Sequence, residues 1–173
     1  MMQHQNVVDL RIRDFITVTE VDAGATFAEA IFQRKYRQSV PDFPHHIVAL
    51  YRDRERRFVP ASYVHFNPAG DIWLVGGGCT DGRAFASMDE RQRAAITAAG
   101  GLLLQTLRFG FDKFADRCDA FFGYCGDPRA WEVDLAAGFI PTAHDKLLVK
   151  WPRPLGDSRR QELTARAHVL GPF

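Results

Sequence analysis

Several stretches of this 173-residue chain hold residue types that can do chemistry. The densest runs from Cys118 to Phe139, with Tyr124, Cys125, Asp127, Arg129 and Asp134 close together. Asp127 followed by Pro128 reads as a helix N-cap with proline at the first helical position, where a missing N–H costs nothing. The charge of Asp127 complements that helix start. Cys118, Cys125 and His144 can be drawn as metal ligands, but a buried strand between the two cysteines would put their thiols at opposite ends of it. Buried, inert cysteines are the better reading, and no metal is expected. A Cys125–His144 nucleophile pair has only its nearness to the turn in its favour. The run from Gly76 to Arg83 is glycine-rich, yet Arg83 and Ala84 follow Gly82 where a phosphate-binding loop needs Lys and then Ser or Thr. No dinucleotide fingerprint is present either, and the run reads as a flexible loop. Arg52-Asp53-Arg54-Glu55-Arg56-Arg57 is a solvated hairpin tip rather than an anion site, and His45-His46 reads as surface.

These residues need elements to position them. Val8, Leu10 and Ile12 alternate with charged neighbours, as in a half-buried strand, which can continue through Phe15 to Val18 after a bulge. Thr26-Phe27-Ala28-Glu29 is a capping box opening a helix to Gln38. Strands follow at 47–51, 58–66 and 72–75. Pro60 stands near the start of the second, and Asn67-Pro68-Ala69-Gly70 forms a turn between the second and third. Ser87-Met88-Asp89-Glu90 is a second capping box, for a long helix reaching Asp112. Gly100-Gly101 inside that helix costs about 1 kcal/mol per glycine, which predicts a close backbone approach or a break. Ala120 to Cys125 is an apolar run, as in a strand covered on both faces. The helix after Pro128 puts Trp131 and Leu135 on one side and stops at Gly138. A last strand at 146–151 and a helix at 157–168 complete the order.

Composition bounds the rest. With 46% hydrophobic and 25% charged residues the chain reads as one ordinary globular domain. A net charge of +1 gives no reason to expect nucleic-acid or membrane partners. An odd number of cysteines, three, fits reduced thiols and a cytoplasmic location. The 14 phenylalanines are more than such a chain needs, and the core is their first use, ahead of an acyl-chain pocket.

Asp127-Pro128-Arg129-Ala130, seven further residues and then Gly138-Phe139 resemble the fifth strand and fourth helix of the GNAT acyl-CoA N-acyltransferase superfamily. The family pattern is Asn-Pro-x-Ala, a tyrosine four residues on, and Gly-Phe four residues after that. The spacing matches without a gap. Asp127 replaces the usual Asn and Asp134 the usual tyrosine, so the chain resembles a divergent member. The resemblance implies an α/β fold with a mixed sheet of six or seven strands. Strands four and five would run parallel and splay, and helices would cover both faces. Residues 1–152 would form this domain, with a C-terminal helix and tail at 153–173 packed on it.

The resemblance also implies a function: transfer of an acyl group from acyl-CoA, acetyl-CoA or a carrier thioester to a small acceptor, most simply an amine. The donor arm would lie in the splayed gap, against Leu74, Val75, Gly76 and Gly77, beside Asp127 and Arg129. The pyrophosphate would sit on backbone N–H groups at a helix start. The family's Gln/Arg-x-x-Gly-x-Gly/Ala loop is absent: at Gly100-Gly101, Ala95 or Ile96 stands where Gln or Arg belongs. The donor site has therefore moved to Gly76–Arg83 or is lost. Acyl transfer needs a base and a proton for the leaving thiolate. His65 and Asp71 are candidate bases, and Tyr124 and Asp134 candidate acids. Asp134 serves only if burial raises its pKa, and otherwise reads as exposed. The competing expectation is a degenerate domain that binds a ligand or protein without catalysis. A homodimer is compatible with either.

Overall fold

The structure, a computed structural model, describes residues 10–173. It holds seven strands: β1 (Ile16–Val21), β2 (His45–Arg52), β3 (Phe58–Ala69), β4 (Ile72–Thr80), β5 (Ala120–Tyr124), β6 (Ile140–Pro141) and β7 (Leu147–Lys150). Six helices accompany them: α1 (Gly24–Tyr36), α2 (Gly82–Ser87), α3 (Glu90–Ala98), α4 (Leu102–Phe114), α5 (Pro128–Ala136) and α6 (Asp157–Leu170). The strands form one sheet in the order β1-β2-β3-β4-β5-β7-β6. All neighbours are antiparallel except β4 and β5, which are parallel.

Alternation along the strands sorts the core into two layers. Ile47, Val64, Phe66, Val75 and Phe121 face α4 and α5. The other face carries α1 on Val48 and Tyr63, and α6 on Ile72, Leu74, Phe122 and Val149. Helices therefore cover both faces, as expected. Gly110 lets α4 lie directly on the sheet, since a Cβ there would stand 2.3 Å from the Phe66 ring.

Several expectations change. Val8 and Asp9 lie outside the described residues. Ile12–Asp14 is a 3-10 turn, and β1 begins only at Ile16. α1 starts two residues before Thr26, with Ala23 at the N-cap and no side-chain cap bond. Gly24 sets that start: a Cβ there would stand 2.3 Å from the His46 ring. His46 is accordingly buried at 2% exposure, not a surface residue. The run Gly76–Thr80 is strand rather than loop, because the long β3 supplies partners out to Ser62–Thr80. Asn67 and Pro68 likewise belong to β3, and the turn shrinks to Gly70-Asp71 with Gly70 at φ 70°. The long helix is two, broken where Gly100 and Gly101 take φ of 85° and 93°, values a side chain disfavours. Ser87 ends α2, and the capping box belongs to Asp89 and Gln92. Leu135 is 40% exposed, so Ala130, Trp131 and Val133 carry the packing of α5.

Among the described residues no single helix is long and apolar enough to cross a membrane; α3 and α4 pass that test only as a pair bent by 49°.

Candidate functional site: the gap between the central strands

β4 and β5 run side by side from the Ile72–Ala120 pair to Val75–Gly123. There they part: β5 ends at Tyr124 while β4 continues to Thr80. A bulge turns β4 away. Its register with β3 shifts between Tyr63 and His65, and Gly77 takes a φ of 66°. An extra residue at such a point bends the strand that carries it. The Tyr36 hydroxyl donates to the Gly78 carbonyl at 2.7 Å, holding the departing strand toward α1.

The gap is a cavity of about 260 Å³ that passes through the sheet. Val75, Gly123, Leu107, Ala130 and Asp134 line it on the α4–α5 side. Tyr36, Tyr124 and Phe173 line it on the α1–α6 side. A second, wider cavity of about 600 Å³ shares Lys35, Gly78, Leu103, Asp127 and Ala130 with it and reaches Gly100, Gly101 and Arg129. Two helices begin at this wider cavity. Asp127 caps α5, accepting from the Arg129 N–H at 2.9 Å and pairing with Lys35 at 3.0 Å. The Lys35 ammonium and the Arg129 N–H hold its carboxyl below the usual range. α4 begins at Gly101 with no side-chain cap bond. The other candidate for the phosphates, Gly76–Arg83, has no such helix start to offer, since Asp81 already accepts from the Arg83 N–H at 3.1 Å.

Asp134 is the titratable group of the narrow cavity. It is half-buried on α5, and burial pushes its carboxyl up to about 6, opposed by a hydrogen bond from the Cys125 thiol. This is not the exposed position its surface helix suggested. Burial also pushes the Cys125 thiol up to about 11, which suppresses the thiolate a nucleophile needs. His144 stacks on His168 at 3.8 Å between ring centres.

The other candidates fall in different places. Tyr124, Val75, Gly76, Gly77 and Asp127 line the narrow cavity; Gly100, Gly101 and Arg129 line the wider one. Leu74 points to the α6 face, packed with Phe122 and Leu163. His65 is outside the cavity wall, 5% exposed beneath the β4 bulge. Burial drives its pKa down to about 3, so it is neutral. Its Nδ1 lies 3.3 Å from the Tyr63 hydroxyl, which lies 2.7 Å from His46 Nδ1. Asp71 sits at the far end of β4, bound to Arg159 and Arg166. Lys35, Tyr36 and Phe173 join the site without any local sequence signal. Each comes from an element distant in the chain, and none carries a motif.

The chain matches no sequence-family model. No curated protein matches it significantly either. Solved structures do match. A GNAT family acetyltransferase from Brucella melitensis, solved in complex with acetyl-CoA, superposes with a TM-score of 0.51 at 11% identity, covering 80% of this chain and 89% of that one. The ribosomal-protein-S18-alanine N-acetyltransferase from Escherichia coli gives 0.52 at 12% identity, covering 82% and 97%. The chain has the GNAT fold. It spans 48% of a third match, a candidate acetyltransferase from Pyrococcus horikoshii, at a TM-score of 0.52 and 9% identity. The parting of β4 and β5 lies where the GNAT resemblance implied a splayed gap, with Asp134 at the position of the pattern's tyrosine.

Proposed function

We propose that this chain is an acyltransferase that moves an acyl group from acetyl-CoA or another acyl-CoA to a small amine. The observation that carries the reading is the cavity through the sheet where β4 and β5 part, with a carboxyl of raised pKa in its wall. The neighbour solved with acetyl-CoA supports the same donor. The donor's phosphates fit the wider cavity, where the uncapped start of α4 offers N–H groups and Arg129 offers charge, while Lys35 offsets the Asp127 carboxylate beside them. The narrower cavity then takes the thioester end along the backbone of Gly76–Gly78. The amine approaches from the α1–α6 side and attacks the thioester carbon. The C–S bond breaks, Asp134 gives its proton to the leaving thiolate, and the amine nitrogen sheds a proton to water, which restores Asp134. A carboxyl with pKa near the working pH suits that exchange.

Thermal denaturation with and without acetyl-CoA tests this. At a hundredfold excess over its dissociation constant, the donor should stabilise the folded chain by about 2.7 kcal/mol. No shift with acetyl-CoA or with longer acyl-CoAs refutes the reading and leaves a binding domain without catalysis.

A further inference from the structure

We infer that the segment after α6, Gly171-Pro172-Phe173, is a strap that closes the acceptor side of the gap, and that Phe173 decides what can enter. The acceptor role of that side rests on the acyltransferase reading; the closure does not.

The strap's path is set by its residues. α6 itself is fixed: Leu163 and Ala167 are fully buried under it, and Arg159 and Arg166 bind Asp71 and Asp119. The chain then turns at Gly171, whose φ of 76° and ψ of −165° fall in a region essentially closed to other residues. Pro172, with its ring-locked φ, stiffens the step from this turn to Phe173. The turn brings Phe173 to the α1–α6 side of the cavity, where it forms part of the wall. Its ring meets the Tyr124 ring edge-on, with centres 6.2 Å apart. Its backbone lies on β4, since a Cβ at Gly76 would meet the Phe173 oxygen at 3.2 Å. The donor's phosphates and thioester account for the α4–α5 side, so an acceptor must come from the side Phe173 covers. It enters only when the ring lifts, and small or flat amines displace it least.

Phe173→Ala removes the ring; Gly171→Ala strains the turn without touching the cavity. Tyr124, whose ring meets Phe173, reports access through its nitration by tetranitromethane, mapped by mass spectrometry. Tyr51 and Tyr63, 2% and 0% exposed, are internal controls. A strap shut about nine-tenths of the time hides the site about tenfold, so both variants should nitrate Tyr124 about tenfold faster with the controls unchanged. Phe173→Trp should stay at the wild-type rate. Equal Tyr124 rates in wild type and both releasing variants overturn the strap, as does acceleration at all three tyrosines, which marks general loosening. The same proteins are assayed for acetyl transfer to cyclohexylamine, a bulky amine, where release should raise turnover. Faster nitration with no turnover in any protein leaves the strap standing and counts against acyl transfer.

Discussion

Asp134→Asn is the most informative single change. The raised pKa means that the folded chain keeps this proton where the unfolded chain gives it up. Below about pH 4 both states are protonated and nothing is at stake. Between the two pKa values stability falls as pH rises, and above the folded value the loss is complete. The step from 3.8 to about 6 is roughly two units. At about 1.4 kcal/mol per unit it amounts to about 3 kcal/mol at most. Water entering the cavity reduces this, so about 2 kcal/mol is the expected size. Asn fills the same space and never ionises. The variant should therefore be more stable than the wild type by about 2 kcal/mol at pH 8, or roughly 4–8 °C in Tm for a chain of this length. The difference should shrink toward zero near pH 4. Urea titrations of both proteins across this range measure it directly. In parallel, kcat for acetyl transfer should fall by about a hundredfold or more. The wild-type decline in kcat as pH rises past about 6 should vanish. A variant less stable than the wild type at pH 8 refutes the reasoning, because the carboxylate would then be held by a partner that favours its charge.

Asp127→Ala should cost about 1 kcal/mol in thermal unfolding through the lost cap of α5. Asp127→Asn should keep that stability, and a changed acetyl-CoA affinity on top of it would place the residue at the donor. Gly110→Ala drives a methyl group into the Phe66 ring and should destabilise by about 1–3 kcal/mol in urea unfolding; a neutral outcome would show that α4 can lift off the sheet. Asp71 and Asp119 are held below the usual carboxylate range, chiefly by Arg166 and Arg153 respectively. Their contribution is present above the ordinary carboxylate pKa and lost as pH falls through the lowered values. The backbone of α6 should thus lose hydrogen-exchange protection below about pH 4, and unchanged protection would assign its docking to Leu163 and Ala167 alone.

The helix after β5 was legible residue by residue. Asp127, Pro128 and Gly138 act through local backbone chemistry, which needs no knowledge of the rest of the chain. The parallel pairing of β4 with β5 followed from element order, since a helical crossover between adjacent strands makes them parallel. What local pattern could not give was burial at a distance. Asp134 lies on a short helix with no fully buried residue, and only the parting of two strands elsewhere makes its surroundings dry. His46 looked like a surface residue because nothing in its neighbourhood announces that Gly24 will pack on its ring. Gly76–Thr80 reads as a loop from its glycines alone, and pairing with β3 overrides that local propensity. Phe173 carries no signal at all until α6 brings it back to the sheet.

The crossover between β4 and β5 has a kinetic consequence. β1 to β4 form a meander whose strands meet through nearby turns, apart from α1, so their contacts close short stretches of chain. β5 can join β4 only after residues 81–119 have wound through three helices. Contacts of such long sequence separation close slowly, because the entropy of the intervening chain is lost before they form. The seam where the cavity lies is therefore among the last parts of the sheet to assemble. A donor spanning it ties the early half to the late half after the rate-limiting step has passed. Such a ligand should slow unfolding while leaving the rate of folding nearly unchanged, so its hold on the protein would be felt most as resistance to unzipping along this one seam.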